Sequence, residues 1–272
     1  MDLFQYAFFR HALAGSIFIC ITCGIAGSYI VSRRLVFISG GITHASFGGL
    51  GLGFYLGISP IFSALLFSIA SAFGIEWLSK RQNIREDSAI AAFWALGMAL
   101  GVICIFLTPG YSQNISAYLF GNILTITCSD ILFAGVFAFV LAISFVVFFK
   151  PILFTAFDSE FAKTQGVKVA LIEQLMMVAI AITIVSSIRL IGIMLLMSLL
   201  TVPQMTANLF TSRMQKIILL SIGLSIIGCI SGLFFSYFFN IPSGAAIVFI
   251  QIILFSLCKT ALFLYQKTIK RL

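Results

Sequence analysis

What this chain has least of is charge. Aspartate, glutamate, lysine and arginine together make up 9% of its 272 residues, against about 25% in an ordinary globular domain. Hydrophobic residues make up 61%. A water-soluble globular fold is excluded by that balance, and a polytopic membrane protein is what remains. A helical span takes about 20 mostly apolar residues. The chain therefore has room for about nine spans with short loops, read here as one all-α domain over residues 1–272.

Acidic residues are scarce in number and also in depth. The eight are Asp2, Glu76, Glu86, Asp87, Asp130, Asp158, Glu160 and Glu173, and none falls at a predicted mid-membrane position. Carriers coupled to protons or sodium normally keep a carboxylate in the membrane to bind the ion, so secondary transport is disfavoured. No paired acid or nucleophile constellation supports an intramembrane enzyme either. No Gly-Lys-Ser/Thr phosphate loop occurs, and GLGLG at 49–53 sits inside a span with no strand before it. Any nucleotide that drives this protein binds to another chain. Cys20 and Cys23 form a CxxC within an apolar run and read as packing, as do the scattered Cys104, Cys128, Cys229 and Cys258.

What charge there is sorts by side. The apolar runs predict spans near 13–32, 35–57, 61–79, 89–108, 129–149, 172–188, 190–211, 217–237 and 244–264. The first is followed by Arg33 and Arg34 and not by a small-residue cleavage site, which predicts a retained span. Those two arginines, the Lys80–Arg81–Arg85 cluster, Lys150, Lys163, Lys168, Arg213, Lys216 and the basic C-terminus all fall on one face. Arg10 and Arg189 fall on the other. The positive-inside rule makes the crowded face cytoplasmic, with the N-terminus outside and the C-terminus inside. The net charge of +8 is thus an orientation signal and not a nucleic-acid footprint.

Residues 33–57, RRLVFISGGITHASFGGLGLGFYLG, are the most informative stretch. They place His44 in a segment that must cross the membrane, where a retained ionisable group marks a functional site by default. The glycines let helix backbones approach closely, which predicts a span in the middle of the bundle. A second irregular element covers 189–208, RLIGIMLLMSLLTVPQMTAN, where Pro203 removes a helix donor and Gln204 and Asn208 follow. Gly/Pro-interrupted spans in both halves of a chain point to a transport path; ordinary packing around a proline kink is the other reading. His11, at the outer end of the first span, reads as interfacial, and Glu76 with Lys80 as an i,i+4 ion pair.

The longest internal loop, 150–174, carries KPILFTAFDSEFAKTQGVKVALIEQ. Asp158 is placed to cap a short helix through Ala162 and Lys163, and Gly166 to end it. Phe157 and Phe161, four apart, would share a face. The segment is either a docking surface for a partner or an interfacial helix resting on lipid.

With these residues in view, the chain resembles the integral-membrane permeases of bacterial ABC importers for zinc, manganese and related metals. The resemblance runs from about residue 12 to residue 259. RRLVFISGGITHASFGG is similar to the family's first cytoplasmic turn and following helix, and AYLFGN at 117–122 to its outer short helix. FDSEFAKTQGV at 157–167 resembles the ATPase-coupling loop, and IGIMLLMSLLTVPQMTA and IPSGAAIV its late spans.

The resemblance implies the cobalamin and siderophore permease fold without its first helix, in the bacterial plasma membrane. It implies a homodimer with two cytoplasmic ABC ATPase subunits and an extracytoplasmic metal-binding protein. Such a chain is not itself an enzyme and holds no permanent cofactor; divalent zinc, manganese or iron is its cargo. A coupling helix at about 156–167 is implied, with Phe157, Asp158, Ser159, Glu160, Phe161, Ala162 and Gly166 meeting the ATPase. His44 would touch the metal, with Ser39, Thr43, Ser46, Asn122, Gln204 and Asn208 as companions. Many zinc-type relatives carry an aspartate four residues before the histidine, where this chain has Gly40. A lone imidazole among hydroxyls makes a weak, transient site, as conduction requires. The same architecture carrying a metal chelate is the alternative.

Overall fold

The computed structural model describes residue 5, residues 7–109 and residues 126–269. Asn122 and the 117–122 motif lie outside the described residues. Among the described residues eleven helices follow one another: α1 (Ala7–Ser32), α2 (Val36–Leu56), α3 (Pro60–Arg81), α4 (Glu86–Leu107), α5 (Cys128–Val147), α6 (Phe149–Phe157), α7 (Ser159–Thr164), α8 (Val169–Leu199), α9 (Val202–Asn208), α10 (Met214–Phe239) and α11 (Ser243–Ile269). Among the described residues eight helical stretches are long and apolar enough to cross a membrane. The glycines, hydroxyls and histidine of α2 hold it below their hydropathy, yet its 21 residues rise about 30 Å, enough to span. It is the ninth.

The chain forms two compact units. One holds α2, α3, α4, α6, α7 and α8 up to Arg189; the other holds α1, α5, the end of α8 from Leu190, and α9 to α11. In the first unit α2 lies against both α3 and α4. Its seam with α4 is made by glycine meeting glycine. A Cβ on Gly48 would stand 2.8 Å from the Gly97 carbonyl oxygen, and one on Gly51 would stand 2.6 Å from that of Gly101. Backbones this close exclude any side chain and maximise van der Waals contact where lipid removes the hydrophobic drive between helices. Within this unit α2 is largely enclosed: most residues from Ile38 to Gly53 are buried, with His44 and Leu52 partly so.

In the second unit α10 packs on α9 and α11, and α1 joins them through Gln204. Cys20 lies with its sulfur 3.4 Å from that of Cys229, both buried thiols, so the CxxC is packing as its apolar setting predicts. The start of α5 carries a reciprocal capping box. Thr127 accepts from the Asp130 N–H while the Asp130 carboxylate accepts from the Thr127 N–H.

Two breaks depart from the span expected over 190–211. Gly192 sits at φ 77°, ψ 166° inside α8, a conformation closed to L side chains. The helix breaks again after Leu199, with Thr201 at φ −130°, ψ −52°. Pro203 therefore does not kink a continuous helix. It stands in the first turn of α9, where a missing N–H costs nothing.

Candidate functional site

His44 stands near the middle of α2, half-buried, with its Nδ1 buried and unpartnered by any protein atom. Its ring stacks on the indole of Trp94 from α4, centroids 4.0 Å apart and planes 8° from parallel. The α2–α4 seam that brings Gly48 onto Gly97 sets the two rings together, because side chain and backbone ride on the same pair of helices. The indole holds the imidazole plane and leaves its nitrogens to whatever enters. A buried polar atom with no partner is uncommon in folded proteins. Here it is a lone-pair or N–H position that no protein group among the described residues takes up.

The three hydroxyls expected beside it are arranged differently. Ser39 Oγ donates to the Val36 carbonyl at 2.8 Å, Thr43 Oγ1 to Ser39 at 2.6 Å and Ser46 Oγ to Thr43 at 2.6 Å. All three are buried, and their protons are spent on their own helix, the usual economy of Ser and Thr in helices. Lone pairs are all they have left to offer an ion.

In the other unit Gln204 is fully buried. Its amide donates to the carbonyls of Cys23 at 2.9 Å and Leu199 at 3.1 Å, groups on α1 and at the break before α9. Its Oε1 is buried and unpartnered. The Leu199 carbonyl stands at the break before α9, where a side-chain amide can satisfy a backbone acceptor that the interrupted helix leaves free. Asn208 is exposed at the end of α9.

The 150–174 loop forms two helices and not one. Asp158, extended at φ −149°, ψ 98°, separates α6 from α7 and caps the latter, its Oδ1 accepting from the Phe161 N–H at 2.9 Å. Phe157 therefore ends α6 while Phe161 lies on α7. The shared helical face expected from their spacing gives way to two separately exposed rings, 61% and 46% accessible. Gly166, at φ +76°, closes α7. Its N–H reaches the Lys163 carbonyl at 3.0 Å and that of Val167 reaches Ala162 at 3.1 Å, the paired bonds of a Schellman end. Ala162 is fully buried, and Phe161 sets its edge on Phe154 of α6. Ser159 opens α7, and Glu160 pairs with Lys163 at 2.7 Å on its exposed side, a contact worth about 0–1 kcal/mol.

Beneath this segment lies a cluster that span-by-span reading does not reveal. Arg33, in the turn before α2, donates one guanidinium N–H to the Thr155 carbonyl of α6 at 2.9 Å and another to Glu173 of α8. The second oxygen of Glu173 accepts from Lys80 of α3 at 3.1 Å, and Lys80 also reaches Glu76 at 2.8 Å. The i,i+4 pair expected of Glu76 and Lys80 is thus one arm of a larger network. Arg33 and Glu173 keep only 24% and 16% of their side-chain surface exposed. Trp94 also escaped the sequence reading, although a signal existed. It is one of two tryptophans and lies well inside a predicted span, whereas spanning proteins concentrate Trp at the interfaces.

A bundle of about nine spans, with a histidine in its glycine-packed helix and a capped helix pair in its longest loop, defines a membrane transport subunit. The family model for the ABC 3 transport family matches residues 5–261, and the chain belongs to that family. It is 32% identical over 253 residues to the manganese transport system membrane protein MntC of Listeria monocytogenes, covering 93% of this chain and 90% of that one. Among solved structures it is similar to PsaBC from Streptococcus pneumoniae in complex with Fab, with a TM-score of 0.86 at 29% identity, covering 94% of this chain and 92% of the other. An inward-facing ABC transporter assigned to the metal-chelate type shares the fold, with a TM-score of 0.71 at 17% identity over 93% of this chain and 86% of that one.

Proposed function

We propose that this chain is the permease subunit of an ATP-driven importer of divalent metal ions, with manganese as the first candidate and zinc and iron as competitors. The observation that carries the reading is His44, an intramembrane imidazole with a buried nitrogen that no protein atom occupies, in a chain of the ABC 3 transport family. The likeness to a manganese transport membrane protein supports the choice of metal. Imidazole alone favours zinc, copper, iron or nickel, and oxygen donors favour manganese; the site offers one imidazole and the lone pairs of Ser39, Thr43 and Ser46. Gly40 leaves it without the carboxylate that would bind the ion tightly, and a weak site lets cargo leave.

On this reading the whole chain acts as one permease domain, paired with a second copy and with two cytoplasmic ABC ATPases. Metal arrives from an extracytoplasmic binding protein. The exposed Phe157 and Phe161 and the capped helix between Asp158 and Gly166 meet the ATPase. Gln204 acts from its buried position, holding the broken span in shape. The termini lie on opposite sides of a bacterial plasma membrane, N-terminus outside.

The test is uptake of labelled manganese, zinc and iron by cells lacking their own importers and expressing this chain with its ATPase and binding protein. One metal should enter, and His44→Ala should abolish that entry. Entry unaffected by the substitution would return His44 to a structural role. With every partner expressed, failure of all free metals to enter would point to a chelated cargo.

A further inference from the structure

The cluster under the coupling loop joins the loop to the helix that carries His44. Thr155 stands three residues before Asp158, the residue that caps α7. Its carbonyl is among the last of α6, which have no partner within their own helix. Arg33 fills that vacancy and closes the same guanidinium on Glu173, five residues into α8. One side chain therefore grips the chain as it enters the coupling segment and as it leaves it.

On its other side Arg33 is three residues from Val36, the first residue of α2. From there His44 lies eight residues along α2, about 12 Å of helical rise. The glycine seam makes α2 and α4 one body, since neither backbone has a side chain between it and the other, so a displacement at the foot of α2 carries His44 and Trp94 together. Lys80 extends the grip to α3, the other helix packed on α2.

We propose that Arg33, clamped between the Thr155 carbonyl and Glu173, is the joint that passes movement of the coupling segment to the His44 helix. The inference rests on the importer reading and deepens it. Arg33 is a positioning residue: it touches neither metal nor nucleotide. Glu173 is its counterpart, and Lys80 steadies the free oxygen of Glu173. Geometry favours arginine here, because its planar fork gives two donors in fixed directions where lysine has one flexible point charge.

The experiment is reconstitution of the permease with its ATPase in vesicles, supplied with the binding protein loaded with manganese. Metal entry and ATP hydrolysis are measured together for the native chain, Arg33→Ala, Glu173→Gln and the double variant. Glu173→Gln keeps the side-chain shape and guards against a variant that merely fails to fold. Each variant should still assemble with the ATPase and hydrolyse ATP, while metal moved per ATP falls on the order of tenfold. The double variant should be no worse than either single one, as expected of two halves of one contact. Arg33→Lys should restore the ratio only in part.

An unchanged ratio in assembled Arg33→Ala and Glu173→Gln complexes would overturn the joint, as would losses that add in the double variant. Transport and hydrolysis falling in step with loss of the bound ATPase would also overturn it and make the cluster a structural anchor. If the native complex itself moves no metal, the importer reading falls, and the joint with it.

Discussion

The stacking of Trp94 on His44 has a size. Aromatic pairs are worth about 0.5–1.5 kcal/mol beyond their buried area, enough to fix the orientation of a ring and too little to hold two helices together. The glycine seam does the second job, so the indole is free to serve the first. Replacing Trp94 with leucine should leave the protein folded and release the imidazole to rotate. The half-saturating manganese concentration for uptake should rise by about two- to tenfold, with little change in thermal midpoint; an unchanged value would make Trp94 packing only. The sequence pointed to His44 because an ionisable group in hydrocarbon is conspicuous wherever it lies. It could not point to Trp94 as the partner, because pairing residues fifty positions apart requires the register of α2 on α4. Arg33 and Glu173 were hidden for the same reason: each looked like an ordinary charge at a span end.

At the scale of elements, tight seams and special turns make opposite kinds of demand. On the α2–α4 seam a Cβ at Gly97 would meet the Ala45 Cα at 2.4 Å and its carbonyl oxygen at 2.7 Å. Backbone cannot step aside as a flexible side chain can. Gly97→Val should cost at least the 1–3 kcal/mol typical of overpacking and should lower the thermal midpoint and abolish metal uptake. Gly223→Ala, where nothing lies within 4 Å, should do neither and serves as the control. At Gly166 the space is open and the backbone decides. Nothing lies within 4 Å of an added Cβ, but φ is +76°, and a left-handed residue with a side chain costs about 1–2 kcal/mol. Gly166→Ala should therefore leave the spans intact, fray the end of α7 and reduce the amount of ATPase that co-purifies. A thermal midpoint that fell with ATPase retention unchanged would separate α7 from docking. Local chemistry announced this turn in advance: the cap at Asp158 and the stop at Gly166 depend on neighbours within a few residues. The break at Gly192 is illegible in the sequence because an isolated glycine in an apolar run is as common in packed spans as in broken ones, and Pro203 marks a place about three turns further on.

For the whole molecule, the positive residues fix a direction that can be tested on the native chain. An odd number of spans, such as nine, would set the termini on opposite sides of the membrane, and the crowded basic face predicts the C-terminus in the cytoplasm. The start of α5 then faces outward, together with Cys128. Of the six cysteines Cys128 is exposed, Cys258 is intermediate, and Cys20, Cys23, Cys104 and Cys229 are buried. Cys258 lies within α11, toward the end that the basic residues assign to the cytoplasm, out of reach of a reagent that stays outside. A membrane-impermeant maleimide added to intact spheroplasts should therefore modify the chain at one position, and Cys128→Ser should abolish the labelling. Labelling that appears only after the membrane is opened would invert the topology. It would place the Arg33 cluster and the paired helices α6 and α7 outside the cell, beyond the reach of any ATPase. The direction of the spans, the docking of the coupling segment and the joint at Arg33 therefore share one physical premise, the asymmetry of sixteen basic residues, and a single labelled cysteine tests it.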